Sequence, residues 1–419
     1  MKLNKNSKEL ILFFTKNKHI NKVTQTKQTE QIILDIYEDI YEAYYYLQKS
    51  KKKLHFSITT KKISNISQIK RPNFFTLKSF PDEIRKHIDN TVMNEITYNF
   101  FIFKRNIKIH FMVEEENIEN KMSIYNEYVN RMAMWLYILN QHASKDCSNT
   151  LVVYLYFTSL QKKLPGSNIE ILNQNHVNTA FTTTCPRDSE IVVFRKEEWF
   201  RAFIHETVHN FGLDFSDMNN TDVNNYVLNI FKVKSDVNLY ESYTEFWAEI
   251  INSLFCSFFM LKDKTNTDEF LTNSIFFINF ERTFSFFQLV KTLNFMGLQY
   301  SDLYSETDQS MILRENLYKE KTNVLAYYII KNVLIDNYQG FLSWCKKNNN
   351  FSILQFKKTK TNQMEFCKFI EKNYKTKSIL NGIKETRQFL DHLNTVNKKK
   401  EKNMDYILSN LRMSICELG

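Results

Sequence analysis

Apolar positions recur every three to four residues through the second half of this chain, and alternate or run together in short stretches through the first. From residue 29, Ile32, Ile33, Ile36, Tyr37, Ile40, Tyr41 and Tyr44 mark one face of a helix. Residues 121–143 mark another through Tyr125, Val129, Met132, Trp135, Leu136 and Leu139. Around them lie strand signals. Residues 55–60 alternate and are β-branched, and residues 98–113 carry Ile107, His110, Phe111 and Val113 in an apolar run. Residues 151–157, LVVYLYF, are continuously apolar, the mark of a strand covered on both faces. A Pro165-Gly166 turn follows, then two further strands at 178–184 and 191–194. The segment around Pro72 and Pro81 reads as a connector.

Beyond residue 214 the pattern is helical almost throughout, at 237–261, 273–296, 309–335, 340–346, 362–374 and 379–393. Residues 398–402 are a charged hinge before a last amphipathic helix, 404–418, with Tyr406, Ile407, Leu411 and Ile415 on one face. The Lys- and Asn-rich residues 1–28 are expected to form a loosely ordered basic arm. The order predicts an α+β protein. Residues 29–213 form a lobe with a small mixed sheet, residues 214–395 a helical lobe, and residues 396–419 an appended hinge and helix.

Composition narrows the class. With 419 residues the chain can bury a sizeable core, and only six Gly and four Pro argue against disorder. The net charge of +10 is spread along the whole chain as solvated Lys, so it supports a nucleic-acid partner only weakly. The six Cys form no CxxC pair and are scattered unlike a disulfide framework, so a reduced, intracellular setting is expected. No stretch is long and apolar enough for a membrane span, and the apolar run at 10–14 is too short for a signal peptide.

Candidate chemistry is concentrated in residues 199–215, WFRAFIHETVHNFGLDF. Residues four apart share a helix face, so His205 and His209 can direct two imidazoles at one ion. Zinc accepts such ligands, and Glu206 directly after the first His is placed to deprotonate a zinc-bound water. Chance explains the motif poorly: nine His, with acids at 46 and His at 9 of 419 positions, give roughly 0.02 expected matches. Phe200, Phe203, Ile204, Val208 and Phe211 form an apolar arc opposite Ala202, His205, His209 and Gly212, and Gly212 is a plausible helix-ending residue.

Zinc needs a third protein ligand beside these two His. Glu241, Glu245 and Glu249 recur every four residues and form a carboxylate row, which could equally be a solvated face. Phe246, Trp247, Ile250 and Ile251 argue that this helix is buried. Asp214 and Asp217 lie close to the motif, but neither is expected to matter for the metal.

HETVH followed by Glu245-Phe-Trp-Ala-Glu249 resembles the zincin metallopeptidases of gluzincin type. That likeness implies Glu245 as third zinc ligand, Glu249 as a hydrogen-bond partner orienting His205, and Glu206 as general base. It also implies a zincin-like lobe in which residues 178–184 form the edge strand that pairs with an extended substrate. The stretch from NHVNTAFTTTC to the motif is similar to uncharacterised proteins of giant DNA viruses, which supplies no substrate. An oxyanion donor is sought among Tyr240, Tyr243 and His176. The expected function is a zinc-dependent peptidase acting on a peptide or protein. The alternatives are an inactive zincin-like binding protein, or a basic virion or nucleic-acid-associated structural protein.

Overall fold

In the computed structural model, which describes residues 2–49, 56–76, 79–349, 352–396 and 404–419, the strand signals assemble into one six-stranded mixed sheet. Its members are β1 (Ser57–Lys62), β2 (Asn94–Ile102), β3 (Arg105–Val113), β4 (Thr150–Phe157), β5 (Ala180–Thr182) and β6 (Asp188–Val193). The order across the sheet is β1-β2-β3-β4-β6-β5. The run expected as one strand at 98–113 is instead a hairpin, β2 pairing antiparallel with β3 through Ile102 and Arg105. Phe103 takes the left-handed backbone, φ 50°, which lets so short a turn reverse the chain.

β4 runs parallel to both β3 and β6, as its unbroken apolar sequence requires of a strand between two neighbours. Parallel pairing needs a crossover, and the helix Met122–His142 lies in the connection from β3 to β4. The supposed connector around Pro81 contains a helix, Asp82–Thr91, which sequence periodicity missed because it is short. Its Ile84 and Ile88 pack with Phe80, Met112, Tyr154, Tyr156, Val192 and Phe194 over one face of the sheet. β1 is exposed along its whole length at one edge, and β5 forms the other edge.

The protein is α+β, and its chain divides into two compact units. One holds the sheet and comprises residues 33–161 and 179–217; the other is helical and comprises 1–32, 162–178 and 218–419. Residues 1–28 are not a loose arm. Lys5–Lys16 is a helix capped by Asn4, and its Leu10 and Phe14 are fully buried. The long helices Tyr240–Met260 and Thr267–Phe295 follow one another, and the pattern at 309–335 resolves into Asp308–Leu317 and the continuous helical stretch 325–336.

The C-terminal segment also departs from expectation. Helix Met404–Ser409 is only six residues long, and the chain then runs non-helically through the interior of the helical unit. It makes two isolated antiparallel bridges, Asn410 with Lys163 and Leu418 with Leu3, and side chains of the long helices take up further backbone groups. Gln288 donates to the Arg412 carbonyl (2.6 Å), Tyr328 to that of Leu411 (2.7 Å) and Lys291 to that of Asn410 (2.5 Å). The Glu281 carboxylate accepts from the Ile415 and Cys416 amides, at 3.0 and 2.9 Å. The charged hinge at 398–402 lies outside the described residues. No helix among the described residues is long and apolar enough to cross a membrane.

Candidate metal centre

The motif helix spans Trp199–Asn210 and belongs to the sheet unit. Glu198 enters it in the left-handed conformation, φ 58°, and Gly212 leaves it at φ 65°. At Gly212 the absence of a side chain lets the chain turn back, with the Gly212 and Leu213 amides donating to the His209 and Val208 carbonyls at 2.9 Å. Phe203, Ile204 and Phe211 are fully buried, as the apolar arc requires. Thr207 fixes the helix against the crossover helix by accepting a 2.7 Å hydrogen bond from Trp135 Nε1.

His205 and His209 converge. Their Nε2 atoms lie 3.1 Å apart, with the ring planes at 77°. Asp214 approaches the other side of His209, its Oδ2 2.5 Å from Nδ1. Burial of Asp214 pushes its carboxyl upward, but His209 and the Ser216 hydrogen bonds outweigh this and hold it below the ordinary carboxylate range. An ionised Asp214 accepts the hydrogen bond of the His209 Nδ1–H, which leaves the Nε2 lone pair directed at His205. Two nitrogens bound at about 2.0–2.1 Å to one tetrahedral zinc lie ~3.3 Å apart, so the observed spacing and the all-imidazole donor pair fit that ion. Glu206 follows His205 on the same helix and is 7% exposed.

The C-terminal end of the motif helix is held by the sheet edge. Asn210 donates to Thr182 Oγ1 of β5 at 3.0 Å and to the Thr183 carbonyl at 3.3 Å. Ser148, before β4, donates to the Asn210 carbonyl at 3.2 Å and also to its side-chain oxygen. Arg105 stacks over the Phe211 ring, 5.0 Å from its centroid, and donates to the Ser144 and Cys147 carbonyls.

The chain matches no family model, no curated protein and no solved structure. The site therefore rests on its own geometry.

The remaining expected residues lie in the helical unit. Glu241, Glu245 and Glu249 all occupy helix Tyr240–Met260, with exposures of 9%, 2% and 0%, so the row is not a solvated face. Glu249, expected to orient His205, forms an ion pair with Lys331 inside its own unit, 2.5 Å from Nζ. Tyr243 is a packing residue. Its hydroxyl donates to the Leu354 carbonyl and accepts from Asn349, each at 2.9 Å, and its ring lies among Phe341, Phe356 and Phe366. That placement engages the hydroxyl within its own cluster, as the polar handle of a buried Tyr usually is. Tyr240 begins the helix, partly buried, and His176 Nδ1 accepts the Asn173 amide in a local cap at 3.3 Å.

Two features escaped the sequence reading. Asp214 was set aside as a ligand, but its place just past a helix-ending glycine allows it to fold back on the second His of the motif. The other is a disulfide between Cys147 and Cys185, in a chain whose scattered cysteines do not suggest a disulfide framework. Cys256, Cys345, Cys367 and Cys416 are buried and take no part in a disulfide.

Proposed function

We propose that the protein is a zinc-dependent peptidase whose metal is held by His205 and His209. The observation carrying this reading is the convergence of the two Nε2 atoms together with the carboxylate of Asp214 on Nδ1 of His209. The third ligand is assigned, on the gluzincin resemblance, to the acidic row of helix Tyr240–Met260. Glu245 is the first choice and Glu241, one turn earlier, the other. When bound, zinc would supply Lewis-acid activation of water at neutral pH.

The chain's own residues would do the rest. Glu206 is the general base, taking a proton on its carboxylate and passing it to the leaving amine. Asp214 keeps His209 in the tautomer that presents Nε2. β5 is an edge strand tied to the motif helix through Asn210 and Thr182, and an extended peptide could add to it by backbone hydrogen bonds.

Elemental analysis of purified protein should find about one zinc per chain. Glu206→Gln should retain the metal but lose roughly 10²–10⁴-fold in turnover of a peptide library. Glu245→Ala should lose zinc where Glu241→Ala keeps it; the reverse would move the ligand one turn. Protein that takes up no zinc on titration ends the peptidase reading.

A further inference from the structure

We propose that the Cys147–Cys185 disulfide is a positioning clamp for His209 and Asp214, so that its reduction weakens the metal centre. The inference rests on the zinc reading above and concerns the connections behind the His pair. The bridge joins the turn before β4 to the turn between β5 and β6, with its Cα atoms 4.6 Å apart. Both turns reach the end of the motif helix.

On the Cys147 side, Ser148 hydrogen-bonds Asn210, the residue after His209, through both its carbonyl and its side chain. On the Cys185 side, Thr184 Oγ1 lies 2.8 Å from Ser216 Oγ, and Ser216 donates to Asp214 Oδ1 at 2.8 Å. Asp214 Oδ2 in turn meets His209 Nδ1. On the Cys185 side the path thus reaches the His209 ring through Asp214, and on the Cys147 side it reaches the neighbouring residue Asn210. The two turns also meet directly, the Ser148 amide donating to the Pro186 carbonyl at 2.7 Å.

Ser148 and Cys185 both hold the left-handed backbone, at φ 55° and 47°. Residues with side chains keep that conformation only where their surroundings impose it, and here the two turns are joined by the disulfide and by the Ser148–Pro186 hydrogen bond. Cys147 is buried and Cys185 partly exposed, so an attacking thiolate would approach from the Cys185 side. Reduction by a dithiol breaks the Sγ–Sγ bond. Two electrons and two protons pass to Cys147 and Cys185 while the dithiol closes to its own disulfide. Thr184 and Ser216 can then drift from Asp214, and His209 loses the partner that fixes its ring.

The test measures zinc affinity by competition with a chromogenic chelator. It compares oxidised protein with protein reduced by dithiothreitol and then freed of it under nitrogen. Reduction should weaken zinc binding about 10–100-fold, as losses in the shell behind a metal ligand do, while far-UV circular dichroism stays unchanged. Ser216→Ala, with the disulfide intact, should weaken zinc by a similar factor, and Ser216→Thr, which keeps the hydroxyl, should restore it. Ser216→Ala with unchanged zinc affinity overturns this path even if the reduced protein unfolds. Equal zinc affinity in folded oxidised protein, Ser216→Ala and reduced protein overturns the clamp while leaving the metal centre standing. So would six titratable thiols in protein denatured without reductant, where four are expected. Oxidised protein that binds no zinc instead brings down the peptidase reading itself.

Discussion

His209 meets the carboxylate that holds its ring five residues along the chain, in Asp214, whereas Glu249 meets its ammonium 82 residues away, in Lys331. The same contrast recurs around each pair. Asp214 is satisfied by Ser216, two residues on, while Glu281 takes the amides of Ile415 and Cys416 from across the helical unit. Both sets of charge are buried, and a buried charge without partners costs several kcal/mol. In the sheet unit the partner arrives as soon as the motif helix stops at Gly212. In the helical unit it arrives from a distant helix, as Lys331 does for Glu249, or from the final residues threaded among the long helices, as for Glu281. Cutting a link in the first should therefore alter a site, and cutting one in the second should threaten the fold.

The severest way to break this comparison is to delete residues 410–419. Lys291, Gln288, Tyr328 and Glu281 would all lose backbone partners in the interior. The summed loss should exceed the ~5–15 kcal/mol by which a domain is stable. The truncated protein should show no cooperative thermal transition for the helical unit, and a native-like transition would show that the tail is an ornament.

A single break comes next. Lys331→Met leaves Glu249 buried without its ammonium and should cost about 3–5 kcal/mol in denaturant unfolding. Glu249→Leu in the same chain should recover most of that, since an apolar pair of similar volume removes the orphaned charge. A double variant no better than the single would mean that Lys331 matters chiefly through its 3.2 Å bond to the Met413 carbonyl.

This contrast also governs what could be read from the sequence. Periodicity located the crossover helix, β4, the motif helix and most helices after residue 214, because each is long and patterned by burial. It missed Asp82–Thr91 and Thr221–Ile230, at ten residues each too short to show a clear period. It extended the last helix over residues 410–418 because Leu411 and Ile415 stand four apart. Those residues are apolar because they are buried on all sides in a non-helical run, and spacing alone does not separate the two cases. The His pair and Glu206 were legible as a spacing on one helix. Asp214 was legible only in principle, through the glycine that turns the chain back. The Lys331 and Cys147–Cys185 pairings were not, since each depends on contacts that only the folded chain creates.

A smaller effect should appear as a pH dependence of the helical unit. Burial raises the Glu320 carboxyl to about 7, despite donors from Ser235, Tyr318 and the Leu325 amide. A raised carboxyl keeps its proton in the folded state while the unfolded chain has already released it. Its contribution is therefore full below about pH 4.5, declines as pH rises, and is lost above about pH 7. Integrated over that window the loss is about 3 kcal/mol. Glu320→Gln should flatten the decline between those limits in urea midpoints, and a variant that keeps the slope would assign it to another group.

The smallest effect separates packing from chemistry at Tyr243. If its hydroxyl served a developing oxyanion, Tyr243→Phe would cost about 10²–10³ in kcat. The structure instead uses that hydroxyl to bridge the Leu354 carbonyl and the Asn349 amide within an aromatic cluster. Phenylalanine keeps the ring contacts and strands only these two polar groups, so stability should fall by about 1–3 kcal/mol. Any peptide turnover should be unchanged at temperatures where the variant stays folded. Turnover is read beside the urea midpoint because the two accounts move different quantities. A variant with an unshifted midpoint and a hundredfold lower kcat would return Tyr243 to the chemistry. A shifted midpoint with unchanged kcat leaves the oxyanion donor to be sought elsewhere, with Tyr240, at the start of the same helix, the remaining tyrosine to substitute.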